Sequence, residues 1–184
     1  KFYGEEKSAE YIAESFGEPL KATIEREFNE PFEEVVKDYR AYQFGKFDTE
    51  VKLFINSKET LEELRQRGIK MGIVTSRLRN TTDHALELFN IKEYFKVIVP
   101  ADEVENHKPH PEPLLKALDI LNSKPEETLF IGDSKFDIGC AKNAGAKSVL
   151  VGWHKNVEQI KNEYEPEYII NDMKEIIQII KKNE

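Results

Sequence analysis

Thr128-Leu129-Phe130-Ile131-Gly132-Asp133-Ser134-Lys135-Phe136-Asp137 decides how this chain folds. An apolar run leads into a glycine, and a helical pattern from Ile138 to Gly145 follows. A strand therefore ends at Gly132, and two carboxylates, Asp133 and Asp137, stand at the mouth of the next helix. In an open α/β sheet, ligands bind outside the carboxyl ends of the strands. Two carboxylates there suit a hard divalent cation such as Mg²⁺. They also suit an ordinary helix start, with Asp133 or Ser134 as cap and Asp137 favoured in the first turn.

The same alternation extends on both sides of this stretch. Strands are expected over residues 69–75, 95–99, 128–131 and 148–151, with a short fifth at Tyr168-Ile169-Ile170. Between them lie helical patterns. Ser57 caps a helix carrying Leu61 and Leu64 and closed by Gly68, and another runs from Asn80 to Phe89. Pro111 to Leu121 places Leu114, Leu115, Leu118 and Leu121 on one face, and the last helix carries Met173, Ile176, Ile177 and Ile180. Strands alternating with helices imply βαβ units and a parallel sheet covered on both faces. The expected fold is α/β, a Rossmann-like three-layer α/β/α sandwich.

Residues 1–50 read differently. Tyr11, Ile12 and Phe16 mark a short helix ending near Gly17, and Ile24 and Phe28 a second. Val35, Val36, Tyr39 and Tyr42 form one face of a third, with Pro31 in its first turn. This part is expected to be a small all-α unit beside the sheet, with the α/β core over 51–184. The run Val51 to Ile55 is ambiguous between strand and loop.

The 184 residues suffice for one core with a small insert. A net charge of −8 argues against a nonspecific nucleic-acid binder. A single cysteine, Cys140, forms no internal disulfide and fits a reducing, cytoplasmic setting. No apolar run approaches a membrane span.

Two further strand ends carry chemistry. The first strand ends in Thr75-Ser76-Arg77. A hydroxyl there, followed by the free N–H groups of a turn, holds a phosphate oxygen, or simply makes a Ser/Thr turn or helix cap. After the second strand, Lys108-Pro109-His110-Pro111-Glu112-Pro113 is a stiff extended loop that sets an ammonium on a rigid scaffold. The competing reading of Lys108 is a solvated surface lysine. His107 and His110 are poor metal ligands at this spacing, and Asp102 and Glu105 read as solvated.

Hydroxyl turn, fixed cation and carboxylate pair come in the order of the strands. Together they resemble the haloacid dehalogenase superfamily, in particular phosphoglycolate-phosphatase-like members with a small helical cap. The resemblance rests on Leu61-Glu62-Glu63-Leu64 through Gly68 to Ser76, on Lys108-Pro109-His110-Pro111-Glu112, and on Ile131-Gly132-Asp133-Ser134 to Asp137. Val149 to Trp153 and Tyr168 to Ile170 extend it. It implies that Thr75 gives its hydroxyl to the transferring phosphoryl group, helped by the Ser76 N–H. Lys108 would offset the charge on nucleophile and phosphate. Asp133 would ligate Mg²⁺ directly and Asp137 would support the outer metal shell. Ser134 would lie at the edge of the site, and Arg77 within reach of substrate. The implied reaction is Mg²⁺-dependent hydrolysis of a small phosphate monoester by a monomer or homodimer.

The family's attacking aspartate belongs to an Asp-x-Asp-x-Thr motif on a central strand, and forms an aspartyl-phosphate. That motif does not occur in this sequence, and Phe47-Asp48-Thr49-Glu50 does not match it. The expectation is a core without its first strand, a partial cap, and an N-terminal segment preceding Lys1 that supplies strand, nucleophile and first cap helix. Residues 1–184 alone would then be inactive. The alternatives are a catalytically inactive binding or scaffold domain, a phosphomutase, or a metal-free dehalogenase.

Overall fold

The computed structural model describes residues 6–8, 11–12, 15, 17–153 and 156–183. The short helix expected to end near Gly17 falls largely outside them, although Tyr11 and Ile12 are helical.

Strands β1 (Gly72–Val74) and β2 (Val97–Val99) pair in parallel, Gly72 opposite Val97. Strands β3 (Leu129–Gly132), β4 (Lys147–Val151) and β5 (Tyr168–Ile170) form a second parallel set, in the order β3-β4-β5. Period-two alternation decides which side chains meet which layer. Ile73, Ile98, Leu129, Ile131, Val149, Val151 and Ile170 face one cluster. Helices α3 (Ser57–Gln66), α4 (Arg79–Leu88) and α8 (Glu175–Asn183) cover it with Leu61, Leu64, Leu86, Ile176 and Ile177. On the opposite face, Val97 and Val99 meet Ala117 of α5 (Glu112–Leu121). Phe130 meets Cys140 and Ala141 of α6 (Lys135–Ala144), and Leu150 meets Ile160 of α7 (Val157–Tyr164). This is the three-layer α/β/α arrangement.

The two strand sets share both layers, because Val74 packs with Phe130 while Ile73 and Ile131 face one cluster. Yet among the described residues β1 and β3 do not pair. Their burial reflects this: Ile73, Val74, Leu129 and Ile131 are half-buried, whereas Ser148 to Val151 of β4 are fully buried. A free ladder edge leaves backbone donors and acceptors unmatched.

Helices α1 (Leu20–Glu27) and α2 (Phe32–Glu50) form the all-α unit, with a small core of Ile24, Val35 and Val36. Tyr39 and Tyr42 were expected on its apolar face but are 43% and 56% exposed. The buried stripe stops after Val36 and resumes at Phe47. Leu115 likewise points to solvent, leaving Leu114 and Leu118 to pack α5.

The boundaries need other corrections. Pro31, expected in the first turn of α2, is its N-cap, and Asn56, not Ser57, is the N-cap of α3. The Ser57 hydroxyl donates back to the Phe54 carbonyl instead of capping. Val51–Ile55 is irregular, and β1 begins only at Gly72, after the Ile69 N–H has closed α3 on the Leu64 carbonyl. Gly68 and Gly145 end α3 and α6 at φ +73° and +78°, a conformation that costs other residues a steric penalty. Helix α7, eight residues long with Ile160 its one buried residue, was not foreseen.

Candidate functional site

The three chemically suggestive strand ends lie on one side of the sheet. At the end of β3, Ser134 is the N-cap of α6 and forms a reciprocal capping box with Asp137. Its hydroxyl and backbone N–H both donate to Asp137 Oδ2, at 2.6 and 3.1 Å. Asp137 Oδ1 accepts from Lys108 Nζ at 2.6 Å. Both side chains are almost wholly buried, at 8% and 7% exposure. Lys108 is therefore not a solvated surface lysine. A buried ion pair survives when its remaining donors and acceptors are satisfied, and Ser134 satisfies those of Asp137.

Glycine at 132 is required by this wiring. A Cβ there would stand 2.2 Å from Asp137 Cβ and 2.6 Å from its Oδ2. The lysine loop is docked in the same way. A Cβ on Gly139 would lie 2.8 Å from Pro109 Cβ, and Asn143 Nδ2 donates to the Pro109 carbonyl at 2.9 Å. At the other end of the loop, Glu112 accepts from the backbone N–H of Glu105 and Asn106 and from the Asn106 amide. Those bonds, the Glu105 N–H foremost, hold the Glu112 carboxyl below the usual carboxylate range. His107 and His110 are exposed.

Beneath the pair, Cys140 is fully buried and desolvation pushes its thiol up to about 11. The Lys108 charge acts against that shift and the Asp137 charge reinforces it.

Asp133 differs from Asp137. It is exposed, one residue beyond the end of β3. Asp137 has both oxygens committed to protein donors. The described residues contain no cluster of three or more His, Cys, Asp or Glu side chains able to cage a metal.

At the end of β1, the Thr75 N–H extends the ladder to the Val99 carbonyl at 3.0 Å. Thr75 Oγ1 accepts from the Arg77 N–H at 3.2 Å, a tight Ser/Thr turn. No side chain of this turn caps α4; Asp102 Oδ1 takes the Arg79 N–H at 2.9 Å instead. Asp102 is exposed, and this bond gives it a structural task as well. The Arg77 guanidinium lies over the Phe47 ring of α2, 5.0 Å from its centroid.

Gly17 shows that the ends of β1 and β3 are neighbours. Its carbonyl accepts from Ser76 Oγ at 2.6 Å, and a Cβ on it would fall 2.3 Å from Ser134 Oγ. Sequence reasoning assigned Gly17 only the end of a helix. Its contacts with Ser76 and Ser134 are long-range and leave no local signal.

A hydroxyl turn, a buried ammonium held by a carboxylate, and an exposed carboxylate form an arrangement suited to an anionic phosphoryl group. The sequence model of the haloacid dehalogenase-like hydrolases matches residues 1–151. This chain belongs to that family. The pyrophosphatase PpaX of Halalkalibacterium halodurans is 38% identical over 178 residues, covering 97% of this chain and 81% of the relative. The PpaX pyrophosphatase of Anoxybacillus flavithermus is 35% identical over 97% of this chain and 83% of its own. A HAD-superfamily hydrolase of subfamily IA from Geobacter sulfurreducens superposes with a TM-score of 0.68 at 32% identity, covering 80% of this chain and 71% of that one. This HAD-like chain is accordingly a hydrolase of the phosphatase type.

Proposed function

We propose that this HAD-like hydrolase cleaves a small phosphorylated metabolite, with Thr75, Ser76 and Lys108 holding the phosphoryl group and Asp133 holding Mg²⁺. The observation that carries this reading is the buried Lys108–Asp137 pair, at 2.6 Å, beside an exposed Asp133. A cation kept out of water by its partner acts on phosphoryl charge through a low dielectric, where it counts most.

The donor set suits Mg²⁺. That ion is ordinarily held by one or two carboxylates with waters and substrate phosphates, not by an all-protein cage. Asp133, exposed one residue beyond β3, offers such a carboxylate. Asp137 is committed to Lys108 and Ser134. In this reading Asp137 supports the metal's surroundings only by fixing Lys108 and the start of α6. When bound, Mg²⁺ supplies charge neutralisation at phosphate oxygens.

Residues 1–50 serve as the cap portion and 51–184 as the core. Among the described residues β1 and β3 do not pair with each other, which supports a strand between them whose carboxylate would stand beside Thr75 and Lys108. A carboxylate there would attack phosphorus to form an aspartyl-phosphate as the P–O bond to the leaving oxygen breaks and that oxygen takes up a proton. Water would then hydrolyse the acyl phosphate to inorganic phosphate and the free carboxylate. The Thr75 hydroxyl and Ser76 N–H orient the phosphoryl group, and Lys108 offsets the charge of both partners. Arg77 stands at the margin, under the cap.

The relatives' names favour pyrophosphate among the possible substrates, with phosphate monoesters such as phosphoglycolate next. The test is release of inorganic phosphate from pyrophosphate, phosphoglycolate and p-nitrophenyl phosphate by the full-length enzyme, with Mg²⁺ and with EDTA. Mg²⁺-dependent release from at least one supports the reading. Equal release in EDTA overturns the metal role, and no release from any overturns the phosphatase reading.

A further inference from the structure

Ser76 has one group that this reading leaves unused. Its backbone N–H is given to phosphate, but its half-buried hydroxyl points the other way, to the Gly17 carbonyl at 2.6 Å. Gly17 lies three residues before α1, on the all-α side of the chain. It also sits against the cap of α6. A Cβ would come within 2.3 Å of Ser134 Oγ, 2.7 Å of Ser134 Cβ and 3.3 Å of the Phe136 ring. Its φ of +88° is a region that L side chains rarely adopt. One residue of the all-α segment therefore touches the turn after β1 and the turn after β3. It does so with its only acceptor and the side where a Cβ would be.

We infer that Gly17 and the Ser76 hydroxyl form a latch that closes the all-α segment over the strand ends, making Ser76 a positioning residue for the phosphate-binding turn. The inference rests on the phosphatase reading for its catalytic consequence, but not for the latch itself. The Thr75–Arg77 turn is otherwise held by one local bond of 3.2 Å and by two bonds to the core, from the Thr75 N–H to the Val99 carbonyl at 3.0 Å and from the Ala101 N–H to the Arg77 carbonyl at 2.9 Å. The backbone bonds fix the two ends of the turn, the Ser76–Gly17 bond adds a tie at its middle residue, and that tie exists only when the segment is down. An interaction present only in the closed state lowers kcat and kcat/KM together when removed, and leaves KM alone. A direct substrate contact would raise KM instead.

The experiment uses the full-length enzyme with Ser76→Ala, Ser76→Thr and Gly17→Ala. Amide hydrogen exchange over residues 17–28 is followed alongside kinetics on pyrophosphate. Loss of one hydrogen bond is expected to speed exchange there about fivefold in Ser76→Ala, with kcat reduced by about the same factor and KM unchanged. Ser76→Thr keeps the hydroxyl and restores both. Gly17→Ala, which also meets Ser134, gives the larger increase in exchange. Unchanged exchange in Ser76→Ala overturns the latch, whether or not the enzyme hydrolyses pyrophosphate. Faster exchange with unchanged kcat, or an effect confined to KM, overturns the positioning role. If the parent protein hydrolyses no phosphate compound, the phosphatase reading fails, while the exchange data still decide the latch.

Discussion

The ends of β1 and β3 hold their chemistry in opposite ways. At β3 the charged groups are over-determined. Lys108 is buried, paired with Asp137 and docked through Pro109 onto Gly139 and Asn143, while Ser134 closes the cap. At β1 the hydroxyl turn is held to the core by backbone bonds alone, to Val99 and Ala101, and its side-chain ties to the all-α segment run through Gly17 and Phe47. The charge half is built by the core. The hydroxyl half is finished by the segment that covers it. A burial-locked ion pair costs too much free energy to assemble on demand, whereas a turn can be completed by docking.

Substitutions at the β3 end should therefore do the most damage. Asp133→Ala is expected to abolish Mg²⁺-dependent phosphate release, and near-parental turnover with Mg²⁺ would remove Asp133 from the metal site. Lys108→Ala should lower kcat by about 10²–10³. A loss under tenfold would mean that the buried ammonium does not act on the substrate. Gly132→Ala forces a Cβ into Asp137, so overpacking of ~3 kcal/mol should lower the thermal midpoint by about 6–12 °C. A calorimetric shift below 2 °C would contradict the packing derived for that strand end.

Gly139→Ala tests the docking of the lysine loop. Displacing Pro109 by a few tenths of an ångström should cost ~1 kcal/mol and lower kcat several-fold with little change in KM. The smallest effect is expected at Glu112. Its folded pKa lies below the ordinary carboxylate value, so its hold on residues 105–106 is present above that value. The hold weakens as pH falls through the lowered one. The Glu105 and Asn106 amides should thus lose exchange protection in acid beyond the intrinsic pH effect. Glu112→Gln should show the loose behaviour already at neutral pH. Protection unchanged by either would sever the loop from this carboxylate.

The alternation of strand and helix was legible because each buried strand is a short apolar run bounded by glycine or proline, as at Leu129–Gly132. The joint pattern of Thr75, Lys108 and Asp133 was legible for a different reason: each follows a strand, and topology gathers strand ends. The sequence posed Ser134 and Asp137 as either a cap or part of a site. The structure makes Asp137 a cap partner with one oxygen and the anchor of Lys108 with the other. Less visible were contacts between residues far apart in the chain. Gly17 against Ser76 and Phe47 under Arg77 depend on where the all-α segment docks, which no local periodicity encodes. Tyr39 and Tyr42 misled for the mirror reason. Helical spacing shows that a face is apolar, not that a partner covers it.

The position of Cys140 has a practical consequence. With its thiol pushed up to about 11 and no exposed surface, almost none of it is thiolate at neutral pH. A disulfide reagent can react only when α6 lifts from β3, and α6 also carries Asp137 and the seat of Pro109. The modification rate of this single cysteine is therefore a clock for the opening of the platform beneath Lys108, read without any label being added to the protein.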